Sequence, residues 1–582
     1  MLSYFLDSSG LRRIMEECNM IKKILYVIIP IVIIIIIGDQ FITNDDEGDI
    51  GEEEQGEMTY DYVPPEPGHT KKAVKNKINE IYAQAEEGKI PGVPFVLGET
   101  TEQEVTTQWG DPETVIEAES KNYSEYPSKH VHIGYQQDWI IDLRLYDEEE
   151  LSDISLNDIE QMKGEADDIR YYQDDDFDQI ILIYDVNKDY QLKLVFPNPT
   201  DENPNPVIHH TSLVTLVDIN QLVLDEKIKN MSLDEKIGQM LFGGISGTSI
   251  SAETRSLITD YKIGGIILYA DNMGNPEQTV NLVNHLKTEN SGNAFPMFIG
   301  VDQEGGDVSR LPGDLVSIPN ANEIGIQNDP QFAFEIGELL AWQLRAYGFN
   351  LDFAPVFDVN SNPDNPIIGD RSFSDDANIV SELGMLTMKG LQSQNIIPVI
   401  KHFPGHGDTS ADSHLELPIV NKGLDELKEL ELVPFEYAIK NGTDVIMIAH
   451  ILLPELDPNL PSSMSKEVVT GVLREQLHYN GVIITDDMTM DGITDHYQIG
   501  PATVEAVKAG NDIILVAHEY QNIVAAFDAI KEAIKKGEIS EERIDDSVRR
   551  IIGLKQEYEL NDEQVPPVDI EKLNESAEAI LE

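Results

Sequence analysis

The chain has 582 residues, 41% of them hydrophobic, enough apolar mass for roughly two to four folding units and too much for wholesale disorder. Against 41 Lys and Arg stand 106 Asp and Glu, a formal net charge of -65, and such a surface repels phosphate backbones, which disfavours nucleic acid as a partner. The only cysteine is Cys18, so no intramolecular disulfide forms and stability must come from packing.

In chain order, Arg12, Arg13, Lys22 and Lys23 precede the apolar run 24–37, after which the sequence turns acidic at Asp39. This pattern predicts an export signal with its positive side in the cytoplasm. The run is shorter than the ~20 residues of a full membrane span, so a cleaved signal peptide competes with a signal anchor. No small-x-small cleavage pattern follows, and no cysteine follows that lipoprotein processing could use. The expectation is therefore a leader and membrane anchor over 1–38, with everything beyond Asp39 extracytoplasmic, anchored or secreted. Residues 39–68, rich in Asp, Glu, Gly and Pro, read as a solvated acidic linker that its own charge extends.

Residues 69–218 read as a smaller α+β module. A helical pattern over 74–85 comes first, and the strand candidates are 131–135, 139–145, 179–184 and 190–196. Segments 102–112 and 157–166 each precede a strand pair, which hints at a duplicated helix-turn-strands unit. No convergent polar cluster stands out, so a spacer or the binding of a protein or cell-wall partner is the expected role. The module resembles small secreted domains of the β-lactamase-inhibitor-like type.

From 219 to 560, apolar runs alternate with amphipathic helices. The runs are 239–243, 264–269, 296–301, 350–354, 397–401, 444–449, 481–485 and 512–516. Eight near-continuous apolar strands separated by helices predict a parallel (β/α)8 TIM-type barrel, with a doubly wound open sheet as the alternative. The polar residues decide for the barrel. Asp302, Asp358, Lys401 with His402, His450 and Asp486 all fall at or just past strand C-termini, which converge on one face only in a barrel. Residues 561–582 read as a C-terminal tail.

The densest chemistry lies in Lys401-His402-Phe403-Pro404-Gly405-His406-Gly407-Asp408-Thr409-Ser410-Ala411-Asp412-Ser413-His414. Pro404, Gly405 and Gly407 forbid a regular helix, so this is a loop leaving the fifth strand. The segment resembles the signature loop of glycoside hydrolase family 3, in its β-N-acetylglucosaminidase (β-hexosaminidase) branch. Further blocks resemble the family in the same order: Val301-Asp302-Gln303-Glu304-Gly305-Gly306, Asp352 to Val359, Gly369-Asp370-Arg371-Ser372-Phe373, and Thr485-Asp486-Asp487-Met488-Thr489-Met490-Asp491-Gly492.

The resemblance implies a retaining exo-acting hydrolase that removes terminal N-acetylglucosamine from cell-wall or chitin-type oligosaccharides. Asp486 would be the nucleophile, with Asp487 as the adjacent rival, and His414, oriented by Asp412, the general acid/base. Histidine suits that exchange of roles because its pKa lies near the operating pH. Asp302, Arg371, Lys401 and His402 would bind the sugar, while Arg310, His406, Asp408 and His450 would line the pocket or brace its loops. Asp307 departs from the pattern, in which a basic residue commonly follows the two glycines.

Other readings stay open at this point. Asp412 and His414 could be a hydrogen-bonded pair that only stabilises the loop. His402, His406, Asp408, Asp412 and His414 carry metal-ligating groups, but Pro404-Gly405 prevents the helix that would align His402 with His406, so neither metal nor cofactor is expected. β-Glucosidase, β-xylosidase and N-acetylglucosaminide phosphorylase are the alternatives within the family, and a non-catalytic sugar-binding module is the alternative of another class.

Overall fold

The computed structural model describes residues 71–117, 121–174, 177–409 and 417–581. The signal and linker expected over 1–68 lie outside these residues, as do Asp412 and His414. Among the described residues, no helix is long and apolar enough to cross a membrane. The chain divides into two compact units, Met1–Val223 and Leu224–Glu582.

The first unit is built on one antiparallel sheet of eight strands: β1 Thr114–Glu117, β2 Asn122–Tyr126, β3 Val131–Gln136, β4 Trp139–Leu145, β5 Asp168–Gln173, β6 Asp178–Asp185, β7 Tyr190–Pro197 and β8 His210–Thr215. Their spatial order is β1-β2-β3-β4-β8-β7-β6-β5. The two four-strand meanders thus meet at the β4–β8 pair and repeat each other about that seam. Each is preceded by a short helix with the same punctuation. Thr101 caps Glu102–Trp109 in a capping box with Glu104, and Ser155 caps Leu156–Lys163 in one with Asp158. Both helices stop at a glycine with positive φ, Gly110 at 87° and Gly164 at 81°. The duplicated unit hinted at by the sequence is therefore realised in the topology. Helix Lys72–Glu86 lays Val74, Ile78, Ile81 and Ala85 in the same core as Leu143, Leu192, Leu194, Phe196 and Leu213 of one sheet face.

The second unit is the expected barrel. Its strands are β9 Leu241–Gly244, β10 Gly265–Ile267, β11 Phe298–Val301, β12 Leu351–Asp352, β13 Ile397–Phe403, β14 Val445–Ile448, β15 Val482–Thr485 and β16 Ile514–Val516. All pair in parallel in the order β15-β14-β13-β12-β11-β10-β9-β16, and an Ile484–Ile513 bridge joins the two ends. The interior is filled, not open: Phe242 stacks on Phe298 at 6.3 Å and meets Phe353 edge-on at 5.4 Å.

The N-terminal end of the barrel is held by a buried lysine, whose pKa burial pushes down to about 7. Lys555 Nζ donates to Gln239 Oε1 (2.8 Å), Gly264 O (3.0 Å) and Pro296 O (2.7 Å), groups that sit just before β9, β10 and β11. These three acceptors knit three strand starts to helix Glu541–Glu557. The segment read as a tail is part of this unit. Helix Ile570–Leu581 buries Ala577, and Asn574 bonds Asp314 O and Val316 N at 2.8 and 2.9 Å. Its amphipathic spacing, with apolar Ile570, Leu573, Ala577 and Ile580, was the signal for that packing.

Candidate active site

The C-terminal end of the barrel holds a cavity of about 400 Å³, lined among others by Tyr269, Asp302, Glu304, Arg310, Arg371, Lys401, His402, His406, Asp486 and His518. Of the residues singled out in the sequence, Asp302, Arg371, Lys401, His402, Arg310, His406 and Asp486 thus meet in one place.

The wall starts where β11 ends. Gln303 Oε1 accepts the amides of Arg310 (2.7 Å) and Leu311 (3.3 Å), closing the loop between them. Gly305, at φ +93°, makes the turn; a Cβ there would lie 2.6 Å from Pro319 O. Asp302 and Glu304 are thereby turned toward the cations that follow. Lys401 Nζ lies 2.6 Å from Asp302 Oδ1 and 2.7 Å from Glu304 Oε1. Arg371 grips Glu304 with both prongs, Nε at 2.8 Å and Nη2 at 2.7 Å.

Glu304 is the hub of this network, and sequence reasoning gave it no role. Two cations brought to one buried place need an acid between them, and Glu304 sits two residues past the strand-end Asp302. Burial would raise its pKa, but Arg371 and Lys401 outweigh that and hold the carboxyl well below its usual range. Lys401 mirrors it: burial lowers, Asp302 and Glu304 raise, and the net shift is upward. Both stay charged at neutral pH.

His402 is fixed by a second carboxylate. Its Nδ1 lies 2.7 Å from Asp358 Oδ2, so Nδ1–H donates and Nε2 is the remaining polar atom of the ring. Asp358 Oδ1 accepts the backbone amides of His402 (3.3 Å) and His406 (2.6 Å), tying the loop after β13 to the end of β12. Burial raises the pKa of Asp358, and His402 together with His406 more than reverses it. His406 packs against His402 with its Nδ1 2.8 Å from Thr409 Oγ1, and burial with the nearby His402 pushes it down to about 4.

Asp486 and Asp487 follow β15 and differ in what they do. Asp487 is consumed by the wall: Oδ1 accepts the amides of Thr489 and Ala517, both at 2.9 Å, and Oδ2 accepts Thr489 Oγ1 at 2.6 Å. Asp486 Oδ1 accepts the amide of Asp487 at 2.8 Å, and its backbone amide donates to Ile448 O at 2.9 Å.

Two expected site residues lie away from the cavity lining. Buried His450 bonds Ser463 Oγ (2.7 Å) and Asp487 O (3.0 Å), bracing the strand end from behind. Asp408 points to Lys422 at 3.0 Å. Among the described residues, no group of three or more His, Cys, Asp and Glu is arranged to hold a metal ion.

A closed parallel barrel with a carboxylate-rich mouth and a cationic grip defines a glycosidase-type scaffold. Residues 232–554 match the glycosyl hydrolase family 3 N-terminal domain. The chain belongs to that family. Residues 78–214 match a domain of unknown function (DUF4309). The chain is 36% identical over 332 residues to beta-hexosaminidase A of Pseudoalteromonas piscicida, a match covering 53% of this chain and 56% of that protein. It is 34% identical over 287 residues to a beta-hexosaminidase of Stenotrophomonas maltophilia (strain K279a), covering 48% of this chain and 83% of that one. Among solved structures it resembles a glycoside hydrolase family 3 beta-N-acetylglucosaminidase from Paenibacillus sp. str. FPU-7, at 39% identity and TM-score 0.57, covering 60% of this chain and 68% of that one.

Proposed function

We propose that the protein is a retaining, exo-acting β-N-acetylhexosaminidase that hydrolyses terminal N-acetylglucosamine from cell-wall or chitin-type oligosaccharides. The observation that carries the reading is Asp486 sharing one cavity with the interlocked Asp302, Glu304, Lys401, Arg371 and His402. The names of the relatives at 34–36% identity agree with it.

In the first step, Asp486 attacks the anomeric carbon, the glycosidic bond breaks, and His414 protonates the departing oxygen. In the second, His414, oriented by Asp412, takes a proton from water, which displaces Asp486 and releases the sugar with its configuration retained. Asp302, Lys401, Arg371 and His402 hold the ring hydroxyls, with Glu304 keeping the two cations paired and positioned. A histidine carries no negative charge as a base and so does not repel an anionic acceptor, which leaves phosphorolysis as a variant outcome. The basic flank before the run 24–37 and the acidic chain beyond it support an extracytoplasmic, membrane-anchored location. The 69–218 module then serves as a spacer or binds a protein or cell-wall partner.

The test is kinetics of wild type, Asp486→Ala and His414→Ala on an aryl N-acetyl-β-glucosaminide and the matching β-glucoside, with and without phosphate. Wild type should prefer the N-acetylglucosaminide, and each variant should lose at least about 10²–10⁴ in kcat. Preference for the glucoside, or release of sugar 1-phosphate, moves the activity to a different member of the family's repertoire. Retained turnover in both variants removes the mechanism.

A further inference from the structure

The cavity has two chemically different parts. Its floor is the charged network just described, suited to the hydroxyls of a single ring. Its rim, between the ends of β10 and β16, is aromatic. Tyr269, just past β10, and His518, just past β16, stack with ring centroids 5.2 Å apart and planes at 23°. The strand between them, β9, ends in Gly243 and Gly244 and offers no side chain to the mouth; a Cβ on Gly244 would lie 1.8 Å from Ala517 O. The stacked pair is what covers that gap.

Neither ring is used up by the fold. The His518 side chain is 62% exposed, with its Nε2 3.7 Å from Asp487 Oδ2. Tyr269 is anchored through its backbone amide, which donates to Asn272 Oδ1 at 2.8 Å, while its ring lines the cavity. Burial, with Asp487, Asp302 and Asp486 around it, pushes the phenol above its ordinary value, so it remains an O–H donor. The backbone beside the pair is strained: Glu519 has φ 65° and ψ 120° as it leads into helix Tyr520–Lys535. That conformation costs a non-glycine residue on the order of 1–3 kcal/mol, and strain of this kind gathers where a neighbouring side chain is held for use.

We propose that Tyr269 and His518 form a second sugar subsite, which takes the pyranose immediately beyond the scissile bond by stacking against its ring face and by a hydrogen bond from Tyr269 Oη. The inference rests on the exo-glycosidase reading. With the terminal ring on the charged floor, the rest of the glycan leaves through the mouth, past the exposed ring of His518. The subsite selects a glycan of two or more sugars over a donor with a small leaving group.

The test compares full-length wild type, His518→Ala and Tyr269→Phe on triacetylchitotriose and on N-acetyl-β-glucosaminyl fluoride, whose leaving group is one atom. In His518→Ala the ratio of kcat/KM on chitotriose to that on the fluoride should fall about tenfold, carried by KM, as expected for one lost stacking contact. Tyr269→Phe, which keeps the ring, should lower the ratio less. An unchanged ratio overturns the subsite. Calorimetric titration separates this outcome from failure of the glycosidase reading. If wild type turns over neither donor, that reading falls, yet diacetylchitobiose should still bind about tenfold tighter than N-acetylglucosamine and lose that advantage in His518→Ala. Equal preference in wild type and variant overturns the subsite on its own.

Discussion

Glu304→Gln isolates the network that the cavity depends on. The carboxylate receives three charge-assisted contacts, two from Arg371 and one from Lys401, all between 2.7 and 2.8 Å, with only 7% of its side chain exposed. Glutamine keeps the shape and one acceptor oxygen but turns an NH2 toward a cation. Lys401 retains Asp302, and Arg371 retains Ile367 O at 3.2 Å. The three contacts are therefore not lost additively. Removing one partner of a buried ion pair costs roughly 3–5 kcal/mol, and at about 2 °C per kcal/mol the melting temperature should fall by about 6–10 °C. The assay is thermal unfolding at low and high salt, since a buried pair is little screened. Removal of the exposed Glu436–Lys440 pair serves as the control and should change stability by less than about 1 kcal/mol. Because Glu304 has a lowered pKa in the fold, its stabilisation is complete above its unfolded value of about 4.3. It is lost as pH falls through the folded value, and the variant should lose that part of the acid sensitivity. A melting temperature within about 2 °C of wild type would refute the hub.

Three further outcomes follow from the same site. His406 is neutral in the fold and pushed down to about 4 from 6.5, so the unfolded chain binds the extra proton between those values. Stability should therefore fall by about 3 kcal/mol as pH drops through this window, and His406→Asn should flatten the fall, as read by denaturant unfolding at stepped pH. Asp487→Asn keeps the shape but weakens acceptors for the Thr489 and Ala517 amides. It should lower kcat by displacing Asp486 while leaving the bulk circular dichroism intact, and unchanged kcat would mean the brace does not matter. Exhaustive treatment with a chelator should leave turnover unchanged, and loss restored by a divalent metal would contradict the metal-free mechanism.

The barrel was legible because a strand buried on both faces reads as a continuous apolar run, and β9, β10, β11, β14 and β16 do so. Boundaries were less so. Only Leu351–Asp352 of the run 350–354 forms strand ladder, since Pro355 has no amide to give to it. In the first unit, β1, β2, β5 and β8 were not expected. β1 and β5 are edge strands, the first mostly exposed and the second only half-buried, while His210, Thr211 and Ser212 in β8 carry no apolar alternation. The site was legible as positions at strand ends, but not as partnerships. Asp358 was noted for its place, whereas its bond to His402 depends on β12 and β13 lying side by side, which a linear sequence does not display. Tyr269 and His518 stood outside every motif, one on each side of β9.

The most direct measurement of the central claim is covalent capture. A slow fluorinated donor, 5-fluoro-N-acetylglucosaminyl fluoride, should leave one sugar on the protein, seen as a mass increase in the intact chain, and peptide mapping should place it on Asp486. An adduct on Asp487, or turnover with no adduct and an inverted product, would contradict the assignment of Asp486 as the group that bonds the anomeric carbon.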